Sequence, residues 1–296
     1  MQIRAINFLM SEGLGFWKVL DTESGRAECN WLIASFAQNR VTHVIIPTES
    51  INYPASGYSL SRLQWLVGRV QASGMIAVVW GDKLRYFSSS GIDWWGQIVD
   101  AFGSSIVYNL SQEIDILWVD NDARKSIIIS NLTQAVNYLV GRGISRDSIW
   151  AGGGTREGTI AIAKAGVGVL TYTMYRDVQG ALNVKDAPQI PLAENVLTGN
   201  MRIIKALTNL PLLLVEFGHY TTWGGEILQR DVLALCIRAA QNAGCIGTGL
   251  WLWLDLWNCD GPAGWCAPDN NSYGVIRNDG GSVMSKLAFT AVVQNW

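Results

Sequence analysis

The 296-residue sequence is poor in charged residues and in histidine, and it has no long apolar run. Its 22 lysines and arginines form no cluster, which argues against nucleic acid or an acidic membrane surface as a partner. No apolar run approaches the roughly 18 residues of a membrane-spanning helix. With two histidines, a metal site would depend on carboxylates alone. Walker loops, nucleophile elbows and His-Glu-x-x-His are also absent, so we expect no cofactor and no metal.

The five cysteines are an odd number and lack the paired short spacing of a zinc site. Cys259 and Cys266 bracket a turn-rich loop, where a disulfide and two free thiols are both open interpretations. The N-terminus shows no signal peptide, which leaves a cytosolic protein or a mature extracellular domain without its leader. We favour the extracellular location. The sequence gives no indication of the oligomeric state.

What the chain does have is a regular alternation of apolar strand-like and amphipathic helix-like segments. Strands are predicted at 4–8, 43–47, 75–80, 114–119, 148–151, 167–173, 212–217 and 246–254. Helices are predicted at 27–38, 60–72, 94–102, 127–140, 155–165, 192–207, 227–243 and 283–293. Glycines precede several strands, at 74, 143, 166 and 244, as expected where a helix ends in a left-handed residue. Eight such units predict an α/β fold, a (β/α)8 TIM barrel that occupies residues 1–296 as a single catalytic domain.

Two carboxylates lie where predicted strands end. Asp122 closely follows the fourth strand and Glu216 lies at the end of the seventh. In such barrels the carboxyl ends of the strands carry the functional groups. Cleavage of an acetal needs one carboxyl group to protonate the leaving oxygen and a second to attack or to activate water.

Three short motifs resemble those of the clan A glycoside hydrolases, most closely the cellulase and mannanase group of family 5. Val119-Asp-Asn-Asp122 resembles the family's acid/base motif, an acidic residue directly after Asn, with Asp in place of Glu. Val215-Glu-Phe-Gly218 resembles the nucleophile motif, and Gly249-Leu-Trp-Leu-Trp253 resembles the tryptophan platform on the eighth strand. The resemblance implies a glycosidase that cleaves β-glycosidic bonds of a polysaccharide or oligosaccharide by a retaining double displacement, and it leaves the sugar open.

The resemblance also implies roles for individual residues. Glu216 is the expected nucleophile, Asp122 the acid/base and Asn121 the donor to the sugar 2-hydroxyl. The other expected carbohydrate-binding residues are Tyr172, Tyr175, His219, Trp80, Trp251, Trp253 and Trp257. For the tryptophans, simple packing of the barrel loops is the competing interpretation.

Several alternatives stay open. Asp120 is a substitute acid, and Asp122 is also a plausible helix N-cap. Because Asp is shorter than Glu, an inverting mechanism competes with the retaining one. Two other classes of function compete with the glycosidase: an inactive barrel that binds carbohydrate, and a lyase or aldolase that uses a rim lysine such as Lys83.

Overall fold

Eight parallel strands close into a barrel, as the sequence predicts. The structure is a computed structural model that describes residues 2–10, 16–48, 57–175, 189–219, 221, 224–253, 255, 274–278 and 283–296. Each strand pairs with its neighbour along the chain, and β1 closes the barrel by pairing with β8. The strands are β1 Ile3–Asn7, β2 His43–Pro47, β3 Ile76–Trp80, β4 Val107–Asn109, β5 Ile149–Gly153, β6 Val169–Tyr172, β7 Leu212–Phe217 and β8 Gly247–Leu250.

Helices surround the barrel and connect its strands. They are α1 Phe16–Val19, α2 Glu23–Gln38, α3 Leu60–Ala72, α4 Arg85–Ser88, α5 Ile92–Phe102, α6 Asp122–Gly141, α7 Arg156–Ile162, α8 Ile190–Thr208, α9 Gly225–Asn242 and α10 Leu287–Asn295. An antiparallel pair, β9 Ile276–Asn278 and β10 Val283–Ser285, precedes α10. The four glycines predicted before strands all have positive φ, between +68° and +84°.

The strands are apolar because both of their faces are covered. One face contributes to an interior cluster formed by Ala5, Ile45, Val78, Val107, Trp150, Val169, Leu213 and Val215. The other face packs against the helices in a second and much larger apolar cluster. A strand such as β7 is buried throughout, so its sequence reads as a continuous apolar run.

The predicted fourth strand is wrong. The strand is Val107–Asn109, while Ile114–Trp118 forms a 3₁₀ helix on the rim. The cause is Asp115, whose buried carboxylate accepts hydrogen bonds from the backbone N–H groups of Gly154 and Thr155 at 2.8 and 3.0 Å. This polar anchor crosses to the neighbouring loop, so the segment cannot continue the barrel. It also leaves apolar side chains such as Val119 exposed.

The cysteines that the structure describes are reduced. Cys29, Cys236 and Cys245 are buried free thiols. Burial raises the pKa of the Cys29 and Cys245 thiols to about 12, which is the behaviour of inert core residues. The predicted pair Cys259 and Cys266 lies outside the described residues.

Candidate active site

Glu216 lies on β7 where the strand departs from regular alternation. Leu213 and Val215 face the barrel interior, so strict alternation would turn residue 216 outward. The pairing of β7 with β8 shifts register between Leu214 and Phe217, and Glu216 has a φ of +56°. The left-handed region costs a non-glycine residue about 1–2 kcal/mol. Bulges of this kind re-aim side chains beside active sites, and the Glu216 side chain here is almost fully buried.

A second carboxylate, Glu113, lies at the same mouth of the barrel and was not selected from the sequence. It follows β4 closely, directly after Gln112, and it also has a left-handed backbone with a φ of +50°. Thr173, just beyond β6, donates a hydrogen bond from Oγ1 to Glu113 Oε1 at 2.7 Å. The negative charge of Glu113 acts directly on Glu216. The two carboxyl groups are therefore electrostatic neighbours.

Asp115 fixes the backbone that carries Glu113. Besides the two backbone N–H groups, it accepts a hydrogen bond from Thr155 Oγ1 at 2.6 Å. Thr155 is the N-cap of α7, where its side chain accepts from the Gly158 N–H. The rim after β4 is thus tied to the start of α7, and Glu113 is held two residues from this anchor. Such support is what a precisely placed carboxyl group needs.

Burial raises the pKa of Glu216 well above its ordinary value, and the charge of Glu113 raises it further. The ammonium group of Lys83, on the rim after β3, acts in the opposite direction and lowers the pKa. The net direction is upward, so the protonated form of Glu216 is favoured over that of an exposed glutamate. One protonated and one ionised carboxyl is the state that acid/base chemistry requires.

Buried polar atoms without a hydrogen-bond partner in the described part of the chain surround this pair. They are Glu216 Oε1, Asn7 Oδ1, Trp80 Nε1, Thr171 Oγ1 and both amide atoms of Asn109 and of Gln112. Native proteins satisfy most buried polar groups, because each unmade hydrogen bond costs about 1–3 kcal/mol. A concentration of neutral donors and acceptors around two carboxyl groups suits a ligand rich in hydroxyl groups.

The predicted acid/base Asp122 is not brought to Glu216. It is the exposed first residue of α6, and it lines a surface depression of about 500 Å³ with Lys125 and Lys164. Asn121 is the N-cap of that helix, accepting a hydrogen bond from the Arg124 N–H at 2.8 Å. The placement of both residues at a strand end is therefore wrong, because the segment before them is the 3₁₀ helix. The alternative in which Asp122 is a helix N-cap places the start of α6 correctly to within one residue, since the N-cap is Asn121.

A signal for Glu113 was present in the sequence. The run Ile106-Val-Tyr108 is apolar, and an amide residue followed directly by Glu comes a few positions later at Gln112-Glu113. That is the acid/base pattern the resemblance describes, with Gln in place of Asn. The apolar run at 114–119 is longer and has the stronger strand pattern. The predicted fourth strand therefore lies several residues after the observed one.

The predicted aromatic residues divide between the mouth and the outer core. Trp80 ends β3 at the mouth and is half-buried. Trp251 follows β8, continuing its pairing with a hydrogen bond from its N–H to the Phe217 carbonyl at 2.9 Å. Trp253 lies outside the barrel, between Phe36 and Phe289 at 5.6 and 5.4 Å, so the packing interpretation holds for its ring. β8 ends at Leu250, and alternation no longer governs residue 253.

The remaining predicted residues are also divided. Tyr172 belongs to the outer cluster, and its hydroxyl accepts a hydrogen bond from Asn200 on α8 at 3.3 Å. This places it behind the barrel wall. Tyr175, just beyond β6, is half-buried. His219 follows Glu216 in the loop after β7 and is fully buried, which lowers its pKa to about 4. Trp257 lies outside the described residues.

Neither a metal site nor a membrane span is found in the part of the chain that the structure describes. No group of three or more His, Cys, Asp or Glu side chains there is arranged to hold a metal ion. None of the helices described is long and apolar enough to cross a membrane.

Comparison with known proteins finds similarity in structure alone. No protein-family model matches the chain, and no curated protein matches it in sequence. A GH5_18 enzyme from Streptomyces cattleya in complex with Manβ1-4GlcNAc matches with a TM-score of 0.75 at 13% identity, covering 99% of this chain and 80% of that one. The exo-β-1,4-mannosidase Op5Man5 from Opitutaceae bacterium strain TAV5 matches with a TM-score of 0.71 at 15% identity, covering 100% of this chain and 59% of that one.

A third match is nearly equal in length. The cellulose synthase subunit Z of Clostridioides difficile has a TM-score of 0.65 at 12% identity, and each chain is covered to 99%. At these identities the matches show a shared fold. That fold is the one found in family 5 glycoside hydrolases, so the resemblance stated from the sequence is confirmed at the level of architecture.

Proposed function

We propose that this chain is a glycoside hydrolase that cleaves β-glycosidic bonds by a retaining double displacement, with Glu216 as nucleophile and Glu113 as acid/base. Glu113 replaces Asp122 in this role. The observation that carries the proposal is the pair of buried or half-buried carboxyl groups at one barrel mouth, each on a left-handed backbone, with the negative charge of Glu113 acting on Glu216. Strained residues cluster at functional sites because the surrounding structure holds them there.

The chemistry proceeds in two steps. In the first, a Glu216 oxygen attacks the anomeric carbon while the bond to the leaving oxygen breaks, and Glu113 donates its proton to that oxygen. In the second, water attacks the anomeric carbon, Glu113 accepts the proton of the water, and the bond to Glu216 breaks. Retaining enzymes place the two carboxyl groups about 5–5.5 Å apart, whereas inverting enzymes need about 6.5–9.5 Å for a water molecule. The retaining assignment follows the resemblance of Val215-Glu-Phe-Gly218 to the family's nucleophile motif.

The surrounding groups suit a neutral sugar. Gln112 stands in the position that the resemblance gives to the donor for the sugar 2-hydroxyl, and its amide is buried and unpartnered within the described residues. Trp80 and Trp251 supply indole surface for stacking on the sugar ring. Since GH5_18 was solved with Manβ1-4GlcNAc and Op5Man5 is an exo-β-1,4-mannosidase, we place β-mannosides first among the substrates. An extracellular location belongs to the same proposal.

The test is hydrolysis of Manβ1-4GlcNAc, β-1,4-mannooligosaccharides, β-glucans, xylans and aryl β-glycosides by the wild type and three variants. Glu216→Gln should abolish turnover of every substrate. Glu113→Gln should lower the rate by about 10²–10⁴-fold on natural glycosides, which need protonation, and far less on aryl glycosides with an acidic leaving group. Asp122→Asn is the matched control and should leave all rates unchanged. Loss of activity in Asp122→Asn with retention in Glu113→Gln would restore the original assignment.

An inactive carbohydrate-binding barrel is the second candidate. The position of Asp122 favours it, because the acid/base residue expected from the resemblance lies on a surface helix. Glu113 argues against an inactive barrel, since it supplies a second carboxyl group in place of Asp122. Absence of turnover in the wild type, together with measurable binding of an oligosaccharide, would support the inactive barrel.

A further inference from the structure

Residues 153–155, at the end of β5, form an anchor segment that is fixed against the start of α7. Gly153 ends the strand, and a Cβ atom at this position would lie 2.8 Å from the Thr159 backbone nitrogen, so the strand packs directly on the helix. Thr155 is the N-cap of α7, and its hydroxyl accepts a hydrogen bond from the Gly158 N–H at 3.0 Å. A backbone held between a strand and a helix is a rigid reference for the groups around it.

Glu113 is tied to the anchor segment twice. Its backbone is held by Asp115, two residues along the chain, whose carboxylate accepts hydrogen bonds from two N–H groups of the anchor segment at 2.8 and 3.0 Å. Its side chain is held by Thr173, whose Oγ1 donates a hydrogen bond to Glu113 Oε1 at 2.7 Å. The N–H of Thr173 donates in turn to the carbonyl of Gly153, in the anchor segment, at 3.2 Å. The backbone and the side chain of Glu113 are therefore both positioned from one short stretch of backbone.

Thr173 reaches Glu113 because of the alternation along β6. Val169 lies in the interior cluster, whereas Tyr172 lies in the outer one. The hydrogen bond from the Thr173 N–H continues the pairing with β5 by one residue, so alternation turns the Thr173 side chain to the interior. Thr173 is buried, which shields its hydroxyl from water. A hydrogen bond whose donor is removed from solvent is stronger than one that water can replace.

A hydroxyl donor on one side makes the two oxygens of the Glu113 carboxyl group unequal. When the carboxyl group is protonated, the oxygen that accepts from Thr173 is its carbonyl oxygen, and the proton is carried by Oε2. When the carboxyl group is ionised, Oε1 accepts the same hydrogen bond, now with the assistance of the negative charge. The contact is therefore compatible with both steps of a double displacement, and the carboxyl group need not turn between them.

We propose that Thr173 is a positioning residue for the acid/base: its hydroxyl holds Glu113 Oε1, so that Oε2 is the oxygen that gives a proton to the leaving oxygen and later takes one from water. The inference rests on the proposed function for the role of Glu113 in turnover. It also states that Thr173 fixes the Glu113 side chain, which holds without substrate. Proton transfer depends on the distance and direction between donor and acceptor, so a carboxyl group that rotates freely loses part of its contribution.

Steady-state kinetics test whether Thr173 acts through Glu113. Thr173→Val removes the hydroxyl and keeps the shape, and it should lower kcat/KM by about 10- to 100-fold on natural glycosides but by less than about threefold on aryl glycosides with an acidic leaving group. Thr173→Ser should restore most of the rate. In the Glu113→Gln background, Thr173→Val should have no further effect, because the acid is already absent. Thr248→Val is the matched control: it removes an equally buried hydroxyl at the amino end of β8 and should leave all rates unchanged.

The hydrogen bond itself is tested without substrate by NMR. With carbon-13 in the glutamate carboxyl groups and Glu113→Gln for assignment, the Glu113 resonance should shift in Thr173→Val and stay in place in Thr248→Val. An unchanged resonance in Thr173→Val overturns the inference. So do equal losses of kcat/KM on the two classes of glycoside, a loss that Thr173→Ser does not restore, or a loss that adds to that of Glu113→Gln.

Failure of the two proposals is distinguishable. If the wild type hydrolyses no glycoside, the proposed function fails, while the Glu113 resonance still decides whether Thr173 holds that side chain. If the wild type is active and Glu113→Gln is not, but Thr173→Val matches the wild type, the inference alone fails. If Thr173→Val does not fold, Thr173→Ala removes the same hydroxyl with a smaller side chain, and the same comparisons apply.

Discussion

The lower half of the barrel interior and its mouth are built on opposite principles. In the lower half, side chains such as Val78, Val107 and Leu213 fill the space between strands with apolar groups in regular alternation. His43 at the base follows the same rule, since its Nδ1 lies 2.8 Å from Thr42 Oγ1 and its ring packs beside Trp150 at 5.7 Å. At the mouth the interior positions change to amides and carboxyl groups whose polar atoms lack partners among the described residues.

Backbone geometry shows the same difference. The strands of the lower half are regular, whereas Glu113 and Glu216 at the mouth both adopt left-handed conformations, and β7 shifts its register beside Glu216. Packing in the lower half increases the free energy of unfolding, whereas the strained backbone and unpartnered polar atoms of the mouth decrease it. Stability given up at one end of a barrel is the usual accompaniment of a preorganised site at the other. The comparison therefore predicts opposite responses to mutation at the two ends.

Leu213→Ala in the lower half should have the largest effect on stability. Leu213 is fully buried in the interior cluster, so truncation removes apolar contacts and leaves a cavity that the closed barrel cannot fill. We expect a loss of about 4 kcal/mol in the free energy of unfolding, measured by urea denaturation. Leu207→Ala on α8, where the side chain is 68% exposed, is the control and should change stability by less than about 0.5 kcal/mol. Similar losses in the two variants would contradict the assignment of the lower half as the stabilising core.

The lower half was also the part that sequence could predict. β2 and β7 were predicted with their observed bounds, because strands buried on both faces have apolar runs that end abruptly in polar residues. β4 was misplaced because only three of its residues pair, too few for periodicity to outweigh the longer apolar run after it. Asp115 gave no local signal, since its partners lie about 40 residues away along the chain.

At the mouth, sequence reasoning identified Glu216 but not its neighbours. Glu216 was found through a motif, even though the alternation of its own strand would have turned it outward. Glu113 was missed because its identification depends on where β4 ends. Trp253 was assigned to the mouth because periodicity was extended beyond Leu250, the last residue of β8. Periodicity describes regular strands, and the candidate catalytic residues lie where regularity stops.

The second prediction concerns the base of the barrel and its response to acid. Burial lowers the pKa of His43 from 6.5 to about 4, so the folded protein binds fewer protons than the unfolded chain between these values. Stability from this residue is fully present above pH 6.5 and is lost as pH falls towards 4, by up to about 3 kcal/mol. His219 adds a loss of the same sign because its pKa is also lowered to about 4.

Urea unfolding of the wild type and His43→Gln at a series of pH values between 7.5 and 4 isolates this contribution. Carboxyl groups titrate in both proteins, so the difference between the two curves reports His43. We expect the stability of His43→Gln to depend less steeply on pH than that of the wild type. Parallel curves would mean that the pKa of His43 is the same in the folded protein as in the unfolded chain, which would contradict its burial at the base of the barrel.

The smallest effect, and the sharpest contrast with Leu213, is expected for Asn109→Leu at the mouth. Asn109 is fully buried at the end of β4, and neither of its amide atoms has a partner in the described part of the chain. Replacing an unsatisfied buried amide with an apolar group of similar shape removes a desolvation cost, so the variant should gain about 1 kcal/mol in stability. Thr159→Val is the control, because the equally buried Thr159 donates a satisfied hydrogen bond to the Thr155 carbonyl at 2.8 Å. It should lose about 1 kcal/mol instead.

Opposite signs from two buried polar residues of one barrel, with glycoside hydrolysis impaired only in Asn109→Leu, would show that the mouth gives up stability to hold its ligand. Equal destabilisation would show that Asn109 is satisfied in solution and that its amide belongs to the structural half of the barrel.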